Sequence, residues 1–499
     1  MENLKRKLDI YERLFSTYGP GTSECQISEL AALLHVSERH VQTLLKKMVA
    51  VGWIDWVAQS GRNKKARLSC RIEPIEACYE IANPLADSGS VEQLLNVLSF
   101  GGRDPKKELE AYLSQSREAI QRIAYIPFHR ELERLHPFSS LRRTERFLVT
   151  QICQRLTLIH NGKLEGDLAY QWRSNSSATC WHFQVRSGVH FHDGSLLSAQ
   201  DVVRCLQALA STQYWSRLYR HIASVRATSN ELIEIRLSEA DWHLPRLLSR
   251  AETSIFKLPS SERLIGSGAF SLDVFSSKML RLSRNDRYSH STAILKRVEL
   301  WVYPEWAKSK SCALNQVCLQ MPDQTQSIES QKPSTFLKIL NQEDGTEIGI
   351  CSDNSKISSE DTSECQALSF AVLNTNGENH TVQVVPYGHY HQDFEQAFCS
   401  IIDENDAFTS WLSFFCLYPF RSDCFQSDIK GIRSRPDYAD AQEGLDALKT
   451  KAKVLGVVIP LKQETFSLAV SKNIENAQVN GFGWCELGDI WISDLPLEL

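Results

Sequence analysis

Ile27-Ser28-Glu29-Leu30-Ala31-Ala32-Leu33-Leu34-His35-Val36-Ser37-Glu38-Arg39-His40-Val41-Gln42-Thr43-Leu44-Leu45-Lys46 reads as two short helices joined by a tight turn. Leu30, Ala31 and Leu34 share one face of the first helix. Val41, Leu44, Leu45 and Met48 share one face of the second. Val36 lies in the turn and plugs the angle between them, and Ala31 is small where the helices cross. Ser37 suits the N-cap of the second helix, because its hydroxyl accepts a bond from an orphan amide. His35 stands where such turns commonly hold Gly, so it is expected to take a left-handed backbone at some cost. With the apolar face buried, Arg39, Gln42, Thr43 and Lys46 point outward, flanked by His40 and Lys47. Together with Ser37 they are the candidate DNA contacts, since these side chains bond base edges and phosphates in a major groove.

The flanks extend this reading to a winged helix-turn-helix. Leu4, Leu8, Tyr11, Leu14 and Phe15 mark an amphipathic helix ahead of it. Trp53–Val57 and Ala66–Cys70 have strand character, with Gln59-Ser60-Gly61-Arg62-Asn63-Lys64-Lys65 between them. A Gly-centred hairpin with a basic tip is a wing, and Arg62, Lys64 and Lys65 are its expected phosphate or minor-groove contacts.

Charge is unevenly placed. Residues 1–71 hold 12 Lys and Arg against seven Asp and Glu, whereas the remainder holds 43 against 53. A basic end on an acidic body places the expected phosphate-binding surface at the N-terminus. A length of 499 residues exceeds one core and predicts several domains. Met1 leads into a charged amphipathic helix, so no secretory leader is expected, and no run approaches the roughly 18 apolar residues of a membrane span. The 14 cysteines include no Cys-x-x-Cys pair. They read as reduced thiols of a cytoplasmic protein, with no metal site and no cofactor expected.

Residues 72–125 carry helical patterning through Val91, Leu94, Leu95, Leu98, Leu109, Leu113 and Ile120, broken at Gly101-Gly102-Arg103-Asp104-Pro105. From Ile126 the pattern becomes mixed α/β. Trp181, Phe183 and Val185 alternate with polar residues as in a half-buried strand. Ser198-Ala199-Gln200-Asp201 resembles a capping box opening a helix that buries Val202, Val203, Leu206 and Leu209.

The run Trp181-His182-Phe183-Gln184-Val185-Arg186-Ser187-Gly188-Val189-His190-Phe191-His192-Asp193-Gly194-Ser195-Leu196-Leu197-Ser198-Ala199-Gln200-Asp201-Val202 resembles the signature of extracellular solute-binding proteins of family 5. Glu145–Leu158 is similar to that family's first-lobe helix, and Leu168–Trp172, Gly266–Phe270 and Arg284–Tyr288 to later landmarks. Val457–Leu461 and Val479–Trp484 resemble its return to the first lobe. A winged helix ahead of such a domain, with Leu141–Arg146 leading into Gln151-Ile152-Cys153, resembles the sugar-phosphate stress regulators of the SgrR type. That resemblance implies a cytoplasmic transcriptional regulator that binds operator DNA, senses a small molecule such as a hexose phosphate, acts on a stress target such as a small RNA gene, and has RNA polymerase as a partner.

The expected fold is thus multidomain. A winged helix-turn-helix spans 1–75 and a helical connector 76–125. A two-lobed α/β periplasmic-binding-protein-like domain of type II spans 126–499, with lobe I at about 126–305 and 455–499 and a reduced second lobe at about 306–454. Arg142 and Arg143 are candidate anion ligands through bidentate bonds, and Trp306 a candidate stacking face for a sugar. His190, His192 and Asp193 read as turn-shaping rather than metal-ligating. No nucleophile elbow, Walker loop or zinc-protease helix occurs, so no catalytic residues are expected. Peptide sensing is the first alternative, and a cytosolic carrier with a vestigial N-terminal domain the second.

Overall fold

The computed structural model describes residues 4–58, 65–114, 122–160, 162–259, 263–303, 312, 315–320, 333–340, 368–375, 379–386, 396–402, 404, 406–417, 425–465 and 467–493. The chain divides into two compact units, Met1–Arg117 and Glu118–Leu499.

The first unit opens with α1 (Leu4–Tyr18), β1 (Gly21–Cys25), α2 (Ile27–Leu34) and α3 (Glu38–Ala50). β2 (Ile54–Val57) and β3 (Ala66–Cys70) then form an antiparallel hairpin, and β1 pairs on the other side of β3. The core gathers Leu8, Tyr11, Leu14, Leu30, Leu34, Val41, Leu45, Met48 and Trp53, all buried. Tyr11 lies against Trp53 with ring centroids 5.2 Å apart. Its hydroxyl donates to the Trp53 carbonyl at 3.1 Å, so the ring's polar end is satisfied as burial requires.

Residues 76–114 do not stand apart as a connector. α4 (Pro74–Asp87), α5 (Val91–Leu98) and α6 (Pro105–Ser114) lie in the first unit, where α4 and α5 pack on α1 and α6 packs on α5. The reason is apolar: Leu94, Leu98 and Phe100 are buried. The backbone amide of Gly101 donates to Asp9 at 2.7 Å, and Arg103 pairs with Glu12 at 3.0 Å.

The second unit begins with β4 (Ile123–Phe128), every residue of which is buried. α7 (Arg143–Ile152) follows, then the hairpin β5 (Thr157–His160) and β6 (Lys163–Gly166). β7 (Ala169–Ser174), β8 (Cys180–Val185), β9 (Ile222–Ala227) and β10 (Leu232–Leu237) form an antiparallel sheet in the order β7-β8-β10-β9. Trp181, Phe183 and Val185 turn to the core as their alternation predicts. α8 (Ala199–Ala210) crosses over with its capping box formed: Asp201 accepts from the Ser198 amide at 2.8 Å. A second sheet runs β11 (Phe270–Phe275), β12 (Met279–Arg284), β13 (Arg297–Val302), β4, with β4 and β13 parallel. These elements share one large core that takes in Phe147, Phe183, Leu206 and Trp484.

The glycines of Gly266-Ser267-Gly268 are architectural. A Cβ on Gly266 would stand 2.2 Å from the Ile152 carbonyl oxygen, and one on Gly268 2.5 Å from that of Gln151. The chain can pass the end of α7 only without side chains there.

A five-stranded antiparallel sheet builds the later part of the unit. Its strands are β14 (Pro333–Leu340), β15 (Leu368–Thr375), β16 (Asn379–Pro386), β17 (Gln396–Ile402) and β18 (Val458–Thr465), in the order β16-β15-β17-β14-β18. Three helices, α9 (Ala407–Leu417), α10 (Gln426–Arg433) and α11 (Tyr438–Val454), form a second core with Ile401, Val458 and Trp215. Val457–Leu461 resembles a return to the first lobe, but Val458 instead starts the edge strand of this five-stranded sheet, paired to β14. The return comes later, at Ser467–Val470, which pairs with Val317–Gln320, and Gln316 bridges to Tyr125 of β4.

Candidate nucleic-acid face and solute cleft

In the first unit, the two helices of the motif are held by local chemistry. Glu29 accepts from the Gln26 amide at 2.9 Å and closes a capping box on α2. His35 adopts φ 56° and ψ 42°, the left-handed backbone expected of it. Ser37 caps α3 by accepting from the His40 amide at 3.3 Å. Val41, Leu45 and Met48 are buried, so the opposite face of α3 carries Arg39, His40, Gln42, Thr43, Lys46 and Lys47, all exposed. Arg39, Gln42 or Thr43, and Lys46 recur at helical spacing and form one stripe. The structure therefore brings the α3 candidates together. Lys65, immediately before β3, is also exposed. Arg62 and Lys64 lie outside the described residues, as does Trp306.

In the second unit, a cleft of about 340 Å³ lies against α7 and the β5–β6 hairpin on one side and the approach to α9 on the other. Thr150 and Gln151 of α7, His160, Arg155, Tyr288 and His290 line it, with Arg250, Glu404, Asp406 and Thr409 and with Phe482, Glu486 and Asp489. The lining includes five carboxylates (Glu165, Glu404, Asp406, Glu486 and Asp489) against two guanidiniums, Arg155 and Arg250.

Those guanidiniums are already engaged. Arg155 lies 3.6 Å from Asp167. Arg250 pairs with Glu252 at 2.7 Å and with Glu404 at 3.4 Å. Arg146 of α7 reaches the same two carboxylates, Glu252 at 2.9 Å and Glu404 at 2.7 Å. Tyr219 adds a hydroxyl bond to Glu252 at 3.1 Å. Burial alone would raise the Glu252 carboxyl, but the guanidiniums of Arg250 and Arg146 outweigh it and hold the group well below the usual carboxylate range. Asp406 goes the other way. Burial pushes its carboxyl above the usual range, and Arg246, 3.0 Å away, does not fully offset this.

Arg142 and Arg143 are not brought to this cleft. Arg143 is buried and donates to the Phe482 carbonyl at 2.8 Å, tying α7 to the C-terminal segment. Arg142 pairs with Glu133 at 3.0 Å. Sequence reasoning missed Arg250, Glu404 and Asp406. A run such as Arg250-Ala251-Glu252 signals an ion pair, but only the fold delivers Glu404 to it. His192 donates from Nε2 to the Gly268 carbonyl at 3.1 Å and from its backbone amide to the Gly266 carbonyl at 2.8 Å, so it shapes a turn.

Comparison with known proteins agrees with this division. Residues 6–119 match the family model described as sugar transport-related sRNA regulator N-term. Residues 163–359 match the middle region of bacterial extracellular solute-binding proteins, family 5. The HTH-type transcriptional regulator SgrR of Photorhabdus laumondii is 33% identical over 313 residues, 60% of this chain and 55% of the relative. That of Yersinia pestis is 32% identical over 304 residues, 59% and 53%. The chain spans about half the length of the curated relatives it matches. Among solved structures, the periplasmic binding protein DppA of Helicobacter pylori in complex with the peptide STSA superposes with a TM-score of 0.55 at 13% identity, covering 74% of this chain and 98% of that one. The murein tripeptide binding protein MppA of Escherichia coli gives 0.54 at 13%, covering 74% and 98%. The chain joins an N-terminal domain similar to that of the sugar transport-related sRNA regulators to a domain with the fold of family 5 solute-binding proteins.

Proposed function

We propose that the chain is a DNA-binding transcriptional regulator whose second unit binds a small solute and passes that binding to the DNA reader. The observation that carries this reading is the exposed polar stripe Arg39–Gln42–Thr43–Lys46 on a capped helix, in the part of the chain similar to a regulator's N-terminal domain. α3 enters a major groove, Arg39 and Gln42 meet base edges, and His40, Thr43, Lys46, Lys47 and the hairpin's Arg62, Lys64 and Lys65 hold phosphates. Residues 1–75 are the reader, helices α4 to α6 its extension, and the second unit, from β4 onward, the sensor, which works in the cytoplasm. No helix among the described residues is long and apolar enough to cross a membrane.

The solute is a sugar phosphate or a related metabolite, by likeness to the SgrR regulators, and the target is a stress gene such as one for a small RNA or a transporter, with RNA polymerase as partner. A second reading, peptide sensing, is favoured by the cleft itself. Five lining carboxylates against two paired guanidiniums suit an ammonium group better than a phosphate dianion. Calorimetry on the full chain with glucose 6-phosphate against di- to pentapeptides separates the two. Saturable heat with the sugar phosphate alone supports the first reading, and heat with peptides alone replaces it with the second. A coupling of about 1–3 kcal/mol between solute and DNA corresponds to roughly a 5- to 150-fold change in DNA affinity.

A further inference from the structure

On the face of the β7-β8-β10-β9 sheet turned away from the core, three chemically distinct side chains converge. Cys180 and His182 stand two apart on β8, so the strand's period of two puts both on this face, opposite buried Trp181 and Phe183. Glu234 of β10 is the direct cross-strand partner of His182. The Glu234 Oε2 lies 3.6 Å from His182 Nε2 and 3.9 Å from Cys180 Sγ. All three ligand atoms fall within 4.8 Å of one another.

We propose that Cys180, His182 and Glu234 form a three-ligand site for a borderline-soft divalent cation, zinc foremost, with water in the fourth position. Tetrahedral zinc bonded to sulfur at about 2.3 Å and to nitrogen and oxygen at about 2.0–2.2 Å sets its ligand atoms roughly 3.4–3.6 Å apart. The two separations measured to Glu234 Oε2 need close by only a few tenths of an ångström. One thiolate, one imidazole and one carboxylate is a mixed soft and hard set that favours zinc over magnesium or calcium. Cys180 would bind the cation as its thiolate, giving its proton to solvent. Arg236 holds Glu234 in a two-pronged pair, at 2.7 Å to Oε1 and 3.2 Å to Oε2, so Oε2 is shared between this guanidinium and the site. Such a partner orients a ligating carboxylate. Arg173 opposite His182 and Arg226 opposite Glu234 add positive charge on the neighbouring strands, so the affinity is below that of an all-cysteine structural site. None of the three residues lines the cleft. The sequence hides the site, because its third ligand is 52 residues beyond His182 and arrives only through strand register.

Cobalt titration of the chelator-treated full chain tests the site. One equivalent should bring a thiolate-to-cobalt charge-transfer band in the near ultraviolet with visible d–d bands, both lost on adding zinc. Cys180→Ser should abolish the charge-transfer band, whereas Cys312→Ser, at another partly exposed thiol, should keep it. His182→Gln and Glu234→Gln should each weaken binding by at least about 10-fold. In the unmutated chain zinc should also shield Cys180 from alkylation, read by mass spectrometry, which frees the test from the folding of any variant. A missing band, a band that survives Cys180→Ser, or undiminished binding in both His182→Gln and Glu234→Gln would overturn the proposal.

Discussion

The guanidinium of Arg146 lies 2.7 Å from the carboxylate of Glu404, joining α7 to a segment 258 residues later in the chain. Glu404 also holds a left-handed backbone, φ 46°, without being glycine. Arg146 and Arg250 share Glu252 and Glu404, so two cations and two anions sit together at the cleft. A carboxylate in this position competes with any anionic solute for the guanidiniums.

Replacing Glu404 with Gln removes one negative charge and leaves both arginines to Glu252. The expected outcome is a loss of about 1–3 kcal/mol in the second unit's stability, because a charged bond is lost while partial pairing remains. If a sugar phosphate seats its phosphate against Arg250, calorimetry should show tighter glucose 6-phosphate binding in Glu404→Gln. Unchanged or weaker binding would place the phosphate elsewhere or remove it from the cleft.

His35 holds left-handed backbone in the turn between α2 and α3. Glycine meets no Cβ penalty there, so His35→Gly should stabilise the first unit by about 0.5–1 kcal/mol. Hydrogen exchange of residues 27–50 in the full chain, read by mass spectrometry across a denaturant series, measures it. A destabilised variant would show that the imidazole contributes more than its backbone costs.

Acid should weaken the second unit before carboxylates titrate. His221 is buried, its Nε2 3.0 Å from Asp241 and its Nδ1 3.3 Å from the guanidinium of Arg433. Burial and then Arg433 push its pKa below the ordinary value. Above a pH of about 6.5 both folded and unfolded states are neutral at this residue. Below it the unfolded chain takes up a proton that the folded one does not, so stability falls as pH falls. Burial lowers His136, His192 and His243 as well. The melting temperature should therefore drop between pH 7.5 and 5.5, and His221→Gln should reduce that slope without removing it. An unchanged slope would show that His221 is not among the groups responsible.

Much of the fold is legible locally. Leu30, Val41 and Met48 at helical spacing, the caps at Ser37 and Ser198, and the alternation of Trp181, Phe183 and Val185 each depend on near neighbours. Even the strained turn at His35 follows from one unusual residue in a known position. The cleft is not legible in this way. Arg143 reads as an anion ligand in sequence, yet its Nη1 donates to the Phe482 carbonyl 339 residues later. Val458 has the same strand character in either sheet, and only the pairing with β14 decides which one it joins. The Cys180–His182–Glu234 cluster has the same origin, since register rather than spacing assembles it.

The most direct test of the central claim is fluorescence anisotropy of the full chain on the DNA upstream of its own gene, at physiological salt, against a random duplex. The upstream DNA is expected to bind at least about 100-fold more tightly, toward the low end of or below the usual preference for a specific site. Arg39→Ala and Gln42→Ala should erode that preference, while Lys65→Ala should weaken both duplexes alike. Equal affinity of the unmutated chain for the two duplexes, or equal loss on both in the Arg39 and Gln42 variants, would contradict base reading by α3.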